Sequence, residues 1–180
     1  NELSFLAEGF YTDLNDVFIL REIGTDAAGN LLLERQNGSG AFVAGINFEA
    51  TYSPFVDLNV QMGYTYQQSR YKEPELWSEN SNIAPQKRMF RTPDNYGYFT
   101  IDYTMLNSLR FAVSGTYTGS MLVQHFAGYI AQDEELETPQ FFDMGVKVSY
   151  DFKVSNNSVL QFNAGVKNIF NSYQNDFDKG

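Results

Sequence analysis

The sequence predicts an all-β fold, an antiparallel up-and-down transmembrane β-barrel, on three observations. Apolar and polar residues alternate with period two in seven separate runs. The connections between those runs are alternately short and long. No stretch approaches the roughly 20 apolar residues of a spanning helix, whereas a spanning strand needs about 9–11 residues and only every second one must face lipid. With 180 residues, 16% aromatic and only 19% charged, the chain is long enough to fold, and its composition does not mark disorder.

The first strand is expected over residues 2–22, where Leu3, Phe5, Ala7, Gly9 and Tyr11 alternate with Glu2, Ser4, Glu8 and Thr12, and Val17 to Leu20 prolong the run. Residues 24–40, rich in Gly, Asn and Asp around Leu31-Leu32-Leu33, read as a long loop with room for a small hairpin. Phe42, Ala44, Ile46, Phe48, Ala50 and Tyr52 mark a strand over 41–53. After a turn at Ser53-Pro54-Phe55, a strand over 56–69 sets Val56, Leu58, Val60, Met62, Tyr64 and Tyr66 against Asp57, Asn59, Gln61, Gly63 and Thr65. The pattern vanishes over 70–95, which holds Pro74, Pro85 and Pro93 and is too long for a mere connector.

Phe99, Ile101, Tyr103 and Met105 define a strand over 96–106; Asn107 turns the chain, and Leu109, Phe111, Val113, Gly115, Tyr117 and Met121 return it over 108–122. A third long loop, 123–140, carries Asp133-Glu134-Glu135 and Pro139. The last hairpin is the clearest. Every even position from Phe142 to Val154 is apolar and every odd one polar or Gly; after Ser155 to Ser158, Leu160, Phe162, Ala164 and Val166 resume the alternation in strands over 141–154 and 158–171. A polar tail, Asn175 to Gly180, follows.

Tight turns at one end and long loops at the other are the layout of a membrane barrel, with the turns on the periplasmic side and the loops outside. Aromatics near strand ends (Tyr64, Tyr66, Tyr96, Tyr98, Tyr150, Phe152) suit interfacial girdles, Tyr66 and Tyr98 marking the outer one. Polar faces of Gly, Ser, Thr, Asn and Gln suit a wet or plugged lumen. The alternative is a soluble or surface-attached β-sandwich for adhesion or glycan binding, with the apolar faces as its core. Bacterial barrels close with an even number of strands, from 8 upward, so seven runs are expected to be a fragment, truncated at both ends.

A net charge of −10 argues against nucleic acid, whose phosphates are bound by Lys and Arg. No Cys is present, so no disulfide or thiolate metal site arises. His125, near Ser120 and Asp133, is better read as a surface or loop histidine than as a catalytic base, and the chain is not read as an enzyme. Asp133, Glu134, Glu135 and Glu137 could offer oxygens to Ca²⁺ but lack the alternating spacing of a Ca²⁺ loop; a solvated acidic loop is the preferred reading.

Three stretches resemble TonB-dependent outer-membrane receptors. Asn168-Ile169-Phe170-Asn171 with Tyr173 is similar to the end of the family's last upward strand. Phe10-Tyr11-Thr12-Asp13-Leu14-Asn15-Asp16 resembles an upward strand further back. Gly45-Ile46-Asn47-Phe48-Glu49, followed after a turn by Met62-Gly63-Tyr64-Thr65-Tyr66, resembles a further pair. The resemblance implies the C-terminal part of a 22-stranded barrel, near strands 15 to 21, without the plug domain, the TonB-binding box or the closing strand. It implies a Gram-negative outer-membrane receptor that imports a scarce solute, such as a ferric siderophore or cobalamin, with TonB acting through the plug. Outer-membrane lipid and lipopolysaccharide would be its surroundings, and no cofactor is implied.

Within that frame the loop from Arg70 to Arg91 holds five of the twelve basic residues, with Tyr71 and Trp77 among them. Arg70, Tyr71, Lys72 and Trp77 are the candidate ligand contacts, since cations beside aromatics suit an anionic, ring-bearing chelate. The competing reading is that Lys87, Arg88 and Arg91 flank the membrane and meet lipopolysaccharide phosphates.

Overall fold

The computed structural model describes residues 1–128 and 130–174, with the backbone alone at Leu31. The tail expected at 175–180 lies outside the described residues. Period-two alternation leaves each strand with one apolar and one polar face, and the strands are β1 (Glu2–Leu14), β2 (Phe18–Thr25), β3 (Leu31–Asn37), β4 (Ala41–Phe55), β5 (Leu58–Glu75), β6 (Gln86–Arg88), β7 (Asn95–Leu106), β8 (Leu109–Thr118), β9 (Leu122–His125), β10 (Glu134–Glu137), β11 (Phe141–Ser155) and β12 (Ser158–Val166). No helix occurs among the described residues. Seven strands form one antiparallel sheet in the order β1-β4-β5-β7-β8-β11-β12, with β6 paired to the end of β5. The sheet does not close on itself. Hairpins β2–β3 and β9–β10 stand apart from it.

Register sorts the faces. Leu3, Tyr52, Val60, Ile101, Val113, Val146 and Val166 stand opposite one another from strand to strand, as do Ala7, Phe48, Tyr64, Gly97, Tyr117 and Phe142. The opposite face aligns Ser4, Thr51, Gln61, Thr100, Ser114 and Gly145. On it Thr65 Oγ1 donates to Asn47 Oδ1 at 2.9 Å, and Arg110 pairs with Asp151 at 2.7 Å. Among the described residues nothing covers the apolar face: Val146 is 39% and Phe162 58% exposed. Among the described residues no second large sheet packs against it, so the expected sandwich alternative does not form.

Several boundaries differ from the sequence expectation. The run read as one strand over 2–22 breaks after Leu14, where Asp16 takes a left-handed φ of 53°, and its second half joins hairpin β2–β3. Alternation persists across the break because both pieces are strands; it cannot show that they belong to different sheets. The turn expected at Ser53-Pro54-Phe55 falls at residues 56–57 instead, leaving Val56 fully exposed. An irregularity between Tyr52 and Phe55 absorbs Pro54, which has no N–H to give to a ladder. The other two tight turns, at residues 107–108 and 156–157, are also preceded by register shifts, at Thr104/Leu106 and Lys153/Ser155.

At the far end, β12 stops at Val166 rather than at 171. Asn168 and Asn171 adopt φ of 51° and 52°, a region Asn tolerates, and the Asn168 side chain both accepts from the Ser172 N–H (2.7 Å) and donates to the Ser172 carbonyl (2.8 Å). The motif is a turn. Tyr98 is a further correction: it pairs with Gly63 and Thr116 on the polar face, so it cannot belong to a lipid-side girdle with Tyr66. Its ring lies over Gly63, where any Cβ would collide with it; on the apolar face Phe99 covers Gly115 in the same way.

The three long connections, residues 15–40, 76–94 and 119–140, leave the sheet at one end and the two-residue turns at the other. The buried hydrophobic residues Ala41, Tyr71, Trp77, Leu122 and Val123 gather at the long-connection end. The sheet thus carries its packed core beyond its own edge, in the loops. Because Tyr98 fills the space above Gly63, Gly63→Ala is expected to cost about 1–3 kcal/mol of stability, and much less in a Tyr98→Ala background. Urea unfolding of the assembled protein measures both; equal costs in the two backgrounds would refute the pairing.

Candidate functional site

β5 continues past the apolar band to Glu75, and its alternation continues with it. Thr65, Gln67, Ser69 and Tyr71 are buried on one face, while Tyr66 and Gln68 are exposed on the other. Connection 76–94 doubles back to cover the buried face: the Gln67 N–H donates to the Asp94 carbonyl (2.8 Å), its side-chain amide to the Pro93 carbonyl (3.0 Å), and the Met89 N–H to the Ser69 carbonyl (3.1 Å). These bonds satisfy polar groups that would otherwise be buried at a cost of about 1–3 kcal/mol each.

Trp77 is the anchor of this cover. It is 3% exposed and meets Phe90 and Phe126 edge to face, with ring centroids 6.1 and 5.1 Å away. Its indole N–H donates to Glu135 Oε1 at 2.8 Å, and Gln86 donates to the other oxygen of Glu135 at 2.8 Å. Arg88 pairs with Glu137 and, at 3.6 Å, with Asp94. Gln86 and Arg88 are two apart on β6, as Glu135 and Glu137 are on β10, so each pair projects from one side of its strand and the two strands zip together. Ser78 donates to Asp133, whose Oδ1 also accepts from the Ala127 N–H at 2.6 Å.

The acidic stretch is solvated only in part: Glu134 and Glu137 are exposed, as expected from the sequence, whereas Asp133 is buried and Glu135 half-buried. Asp133 is 5% exposed, and the carboxylates of Asp133, Glu135 and Glu137 are engaged by groups of connection 76–94. Among the described residues no three His, Cys, Asp or Glu side chains are placed to share a metal ion. His125, expected at the surface, is buried on β9.

The four candidate ligand contacts do not converge. Arg70 and Lys72 lie on the strand β5, not in a loop, and on the face that continues the apolar one; Arg70 pairs with Asp94 at 3.3 Å and Lys72 with Asp13 at 2.7 Å. Tyr71 faces the other way, 9% exposed, and burial together with the nearby charge of Glu75 holds its hydroxyl pKa above the usual value. Tyr71 and Trp77 line one cleft of about 190 Å³, walled also by Phe18, Leu20 and Phe90. Sites that enclose a whole organic ligand run to about 300–1,000 Å³, so this one accepts a ring or a side group and not a complete chelate. Phe90 on its wall, and Phe126 against Trp77, were not legible in the sequence, because neither sits in an alternating run.

Hairpin β2–β3 is held to the cover by few groups. The Glu22 N–H donates to the Trp77 carbonyl at 3.4 Å. Its carboxyl is raised above the ordinary 4.5 by partial burial first, then by a hydrogen bond with Asp133 and the charges of Asp133 and Glu79. The folded form keeps this proton more tightly than the free side chain, so docking is strongest below pH 4.5 and weakens as pH rises from there through the raised value. Amides of β2 are expected to exchange faster across that interval than intrinsic rates require, and Glu22→Gln to abolish the trend; a slope that survives in Glu22→Gln would place the titration elsewhere.

Comparison with known proteins agrees with this geometry. The family model described as TonB dependent receptor-like, beta-barrel matches residues 1–169. Among solved structures, the chain is similar to the ferric-catecholate import receptor Fiu from K12 E. coli in its closed form (19% identity, TM-score 0.60, 93% of this chain and 21% of that one). It is similar also to the siderophore receptor PirA from Acinetobacter baumannii (17%, TM-score 0.64, 93% and 25%) and to a G324V mutant of the ferric enterobactin receptor PfeA from Pseudomonas aeruginosa (18%, TM-score 0.58, 93% and 23%). At these identities the likeness is one of fold, and the chain spans about a fifth to a quarter of the length of those structures. No curated protein matches it. A period-two sheet with one uncovered apolar face, long connections at one end and a family match over residues 1–169 lead to one assignment: the chain belongs to the TonB-dependent receptor-like β-barrel family.

Proposed function

We propose that this chain is part of the barrel of a Gram-negative outer-membrane receptor that imports a scarce solute, such as a ferric siderophore or cobalamin, by TonB-dependent transport. The observation that carries the reading is the apolar face aligned across seven strands and left open, which water would not tolerate and a bilayer requires. The structural neighbours, which are siderophore and ferric-chelate receptors, support the ligand class. In this reading the long connections face outward and the two-residue turns face the periplasm. TonB would act through a plug domain lying outside these residues, against the polar face. The function is transport, with no enzymatic step.

Arg70, Tyr71, Lys72 and Trp77 remain our assignment for ligand capture, in unequal roles. Tyr71 and Trp77 line the 190 Å³ cleft and suit a ring of the ligand. Arg70 and Lys72 reach an anion by exchanging it for Asp94 and Asp13. Lys87, whose ammonium donates to the Lys72 carbonyl at 3.3 Å on the exposed side, is the cation we assign to lipopolysaccharide phosphate.

Two measurements on the complete receptor test this. Lys at Val146, on the apolar face, is expected to cost about 2–4 kcal/mol in bilayer unfolding, and Lys at Thr100, on the polar face, much less; equal penalties would sink the lipid-facing assignment. Replacing Arg70, Lys72 and Trp77 together by Ala is expected to weaken an anionic chelate by about 1.5–3 kcal/mol for each charge-assisted hydrogen bond removed. Unchanged uptake by normally displayed receptor would leave these residues a structural role only.

A further inference from the structure

We propose that the polar face holds an anion site, in which Lys147 and Lys167 clamp one doubly charged oxyanion, a phosphate or a dicarboxylate, carried by a solute in the lumen. The site rests on the wet lumen of the transport reading and goes beyond it, since a polar face requires no place where positive charge is left uncompensated.

One tripeptide occurs twice, as Gly145-Val146-Lys147 on β11 and as Gly165-Val166-Lys167 where β12 ends. Register lays the two copies antiparallel, with Val146 opposite Val166 and Lys147 opposite Gly165. Lys167 then stands beside Gly145, where a Cβ would lie 3.5 Å from Lys167 Cα. Each lysine stem thus borders a glycine of the other copy. A Cβ on Gly165 would come within 2.7 Å of the Val146 carbonyl oxygen and 3.4 Å of Lys147 Cβ, so this floor stays bare. Diagonal positions of an antiparallel pair are about 7–8 Å apart, and the flexible stem of lysine lets both exposed ammonium groups turn to one small anion.

Charge selects the occupant. Among the described residues neither ammonium meets a carboxylate, although the chain carries a net charge of −10 and acids stand nearby. Asp151 is taken by Arg110 and Gln161, both at 2.7 Å. Asp102 is two strands from Lys147, with Ala112 between them, and closes the hollow on the β7 side; Asp143 lies further along β11. Two like charges held side by side repel unless an anion lies between them. Thr100, Ser114 and Gly145 stand opposite one another from strand to strand, which brings two hydroxyl donors into the row that ends at Lys167, in a hollow of about 420 Å³. Lysine is a point charge with three donors, so it takes phosphate or carboxylate oxygens alike. The hollow is separate from the Trp77 cleft, because Ala112 is about 20 Å along β8 from Thr118 at the long-connection end.

The test treats the complete receptor in liposomes with a water-soluble acetylating ester and follows each lysine by mass spectrometry, in inorganic phosphate and in potassium chloride of equal ionic strength. Phosphate, and not chloride, is expected to slow Lys147 and Lys167 roughly tenfold, about what one charge-assisted hydrogen bond gives, and to leave Lys153, on the same face near the turn, unchanged. Lys167→Gln is expected to return Lys147 to its rate in chloride, because one charge does not hold the anion. Lysines that react freely and ignore phosphate, or a Lys147 still protected in Lys167→Gln, overturn the clamp and leave the transport reading standing. Lysines that are unreactive without phosphate overturn it as well, since the plug then covers them. Oxidation of Met62, on the apolar face, by a water-soluble oxidant overturns the lipid-facing reading itself and the lumen with it.

Discussion

Register is the constraint on which the rest of this structure depends. Because side chains alternate with period two, a slip of one residue between any two strands would carry an entire apolar set to the polar face. Seven strands keep step because three tight turns fix adjacent pairs, each with an irregularity on the strand entering it, at Tyr52/Phe55, Thr104/Leu106 and Lys153/Ser155. Glycine and ring pairs reinforce the alignment. Tyr98 over Gly63 and Phe99 over Gly115 fit only when those residues are cross-strand neighbours, as they are.

A sheet built this way has no core between layers. Its apolar face stays open and its polar face is tied internally by contacts such as Arg110 to Asp151. Among the described residues, packing of the ordinary kind is found at the long-connection end, around Trp77, where aromatic edges, a buried indole donor and three carboxylates lock two connections together. The net charge of −10 looks unfavourable for such a cluster. It is tolerated because the buried Asp133 accepts from Ser78 and the Ala127 N–H, which offsets the loss of water, while the more exposed Glu135 and Glu137 meet Trp77, Gln86 and Arg88. Connections 76–94 and 119–140 are thereby made one body, with hairpin β2–β3 attached to it through the Glu22 carboxyl and backbone.

The same alternation that sorts the membrane face also sorts the chemistry above it. Arg70 and Lys72 fall on the side that continues the apolar face, and Tyr71 on the side covered by connection 76–94. Neighbours in sequence are thus separated by the thickness of a strand. A charged, aromatic triplet that looks like one recognition element is two surfaces with different surroundings, and Tyr71, on the inner one, borders the 190 Å³ cleft.

What the sequence determined by itself was the all-β class, the two faces, the order of tight and long connections and the family. All of these are written in contiguous residues: period two within a run, Asn-rich turns, a motif of a few positions. It misplaced the break at Asp16, the turn at residues 56–57 and the face of Tyr98, because alternation is blind to which sheet a strand joins and aromatics alternate like any other residue. Only the tertiary structure decided what Asp133, Glu135 and Glu137 do. Their partners Ser78, Trp77, Gln86 and Arg88 lie 49 to 58 positions away, and the same carboxylates would be solvated, metal-binding or buried according to what packs on them. A carboxylate's role is set by the groups brought within hydrogen-bond reach, and that distance is a property of the fold, not of the neighbouring sequence.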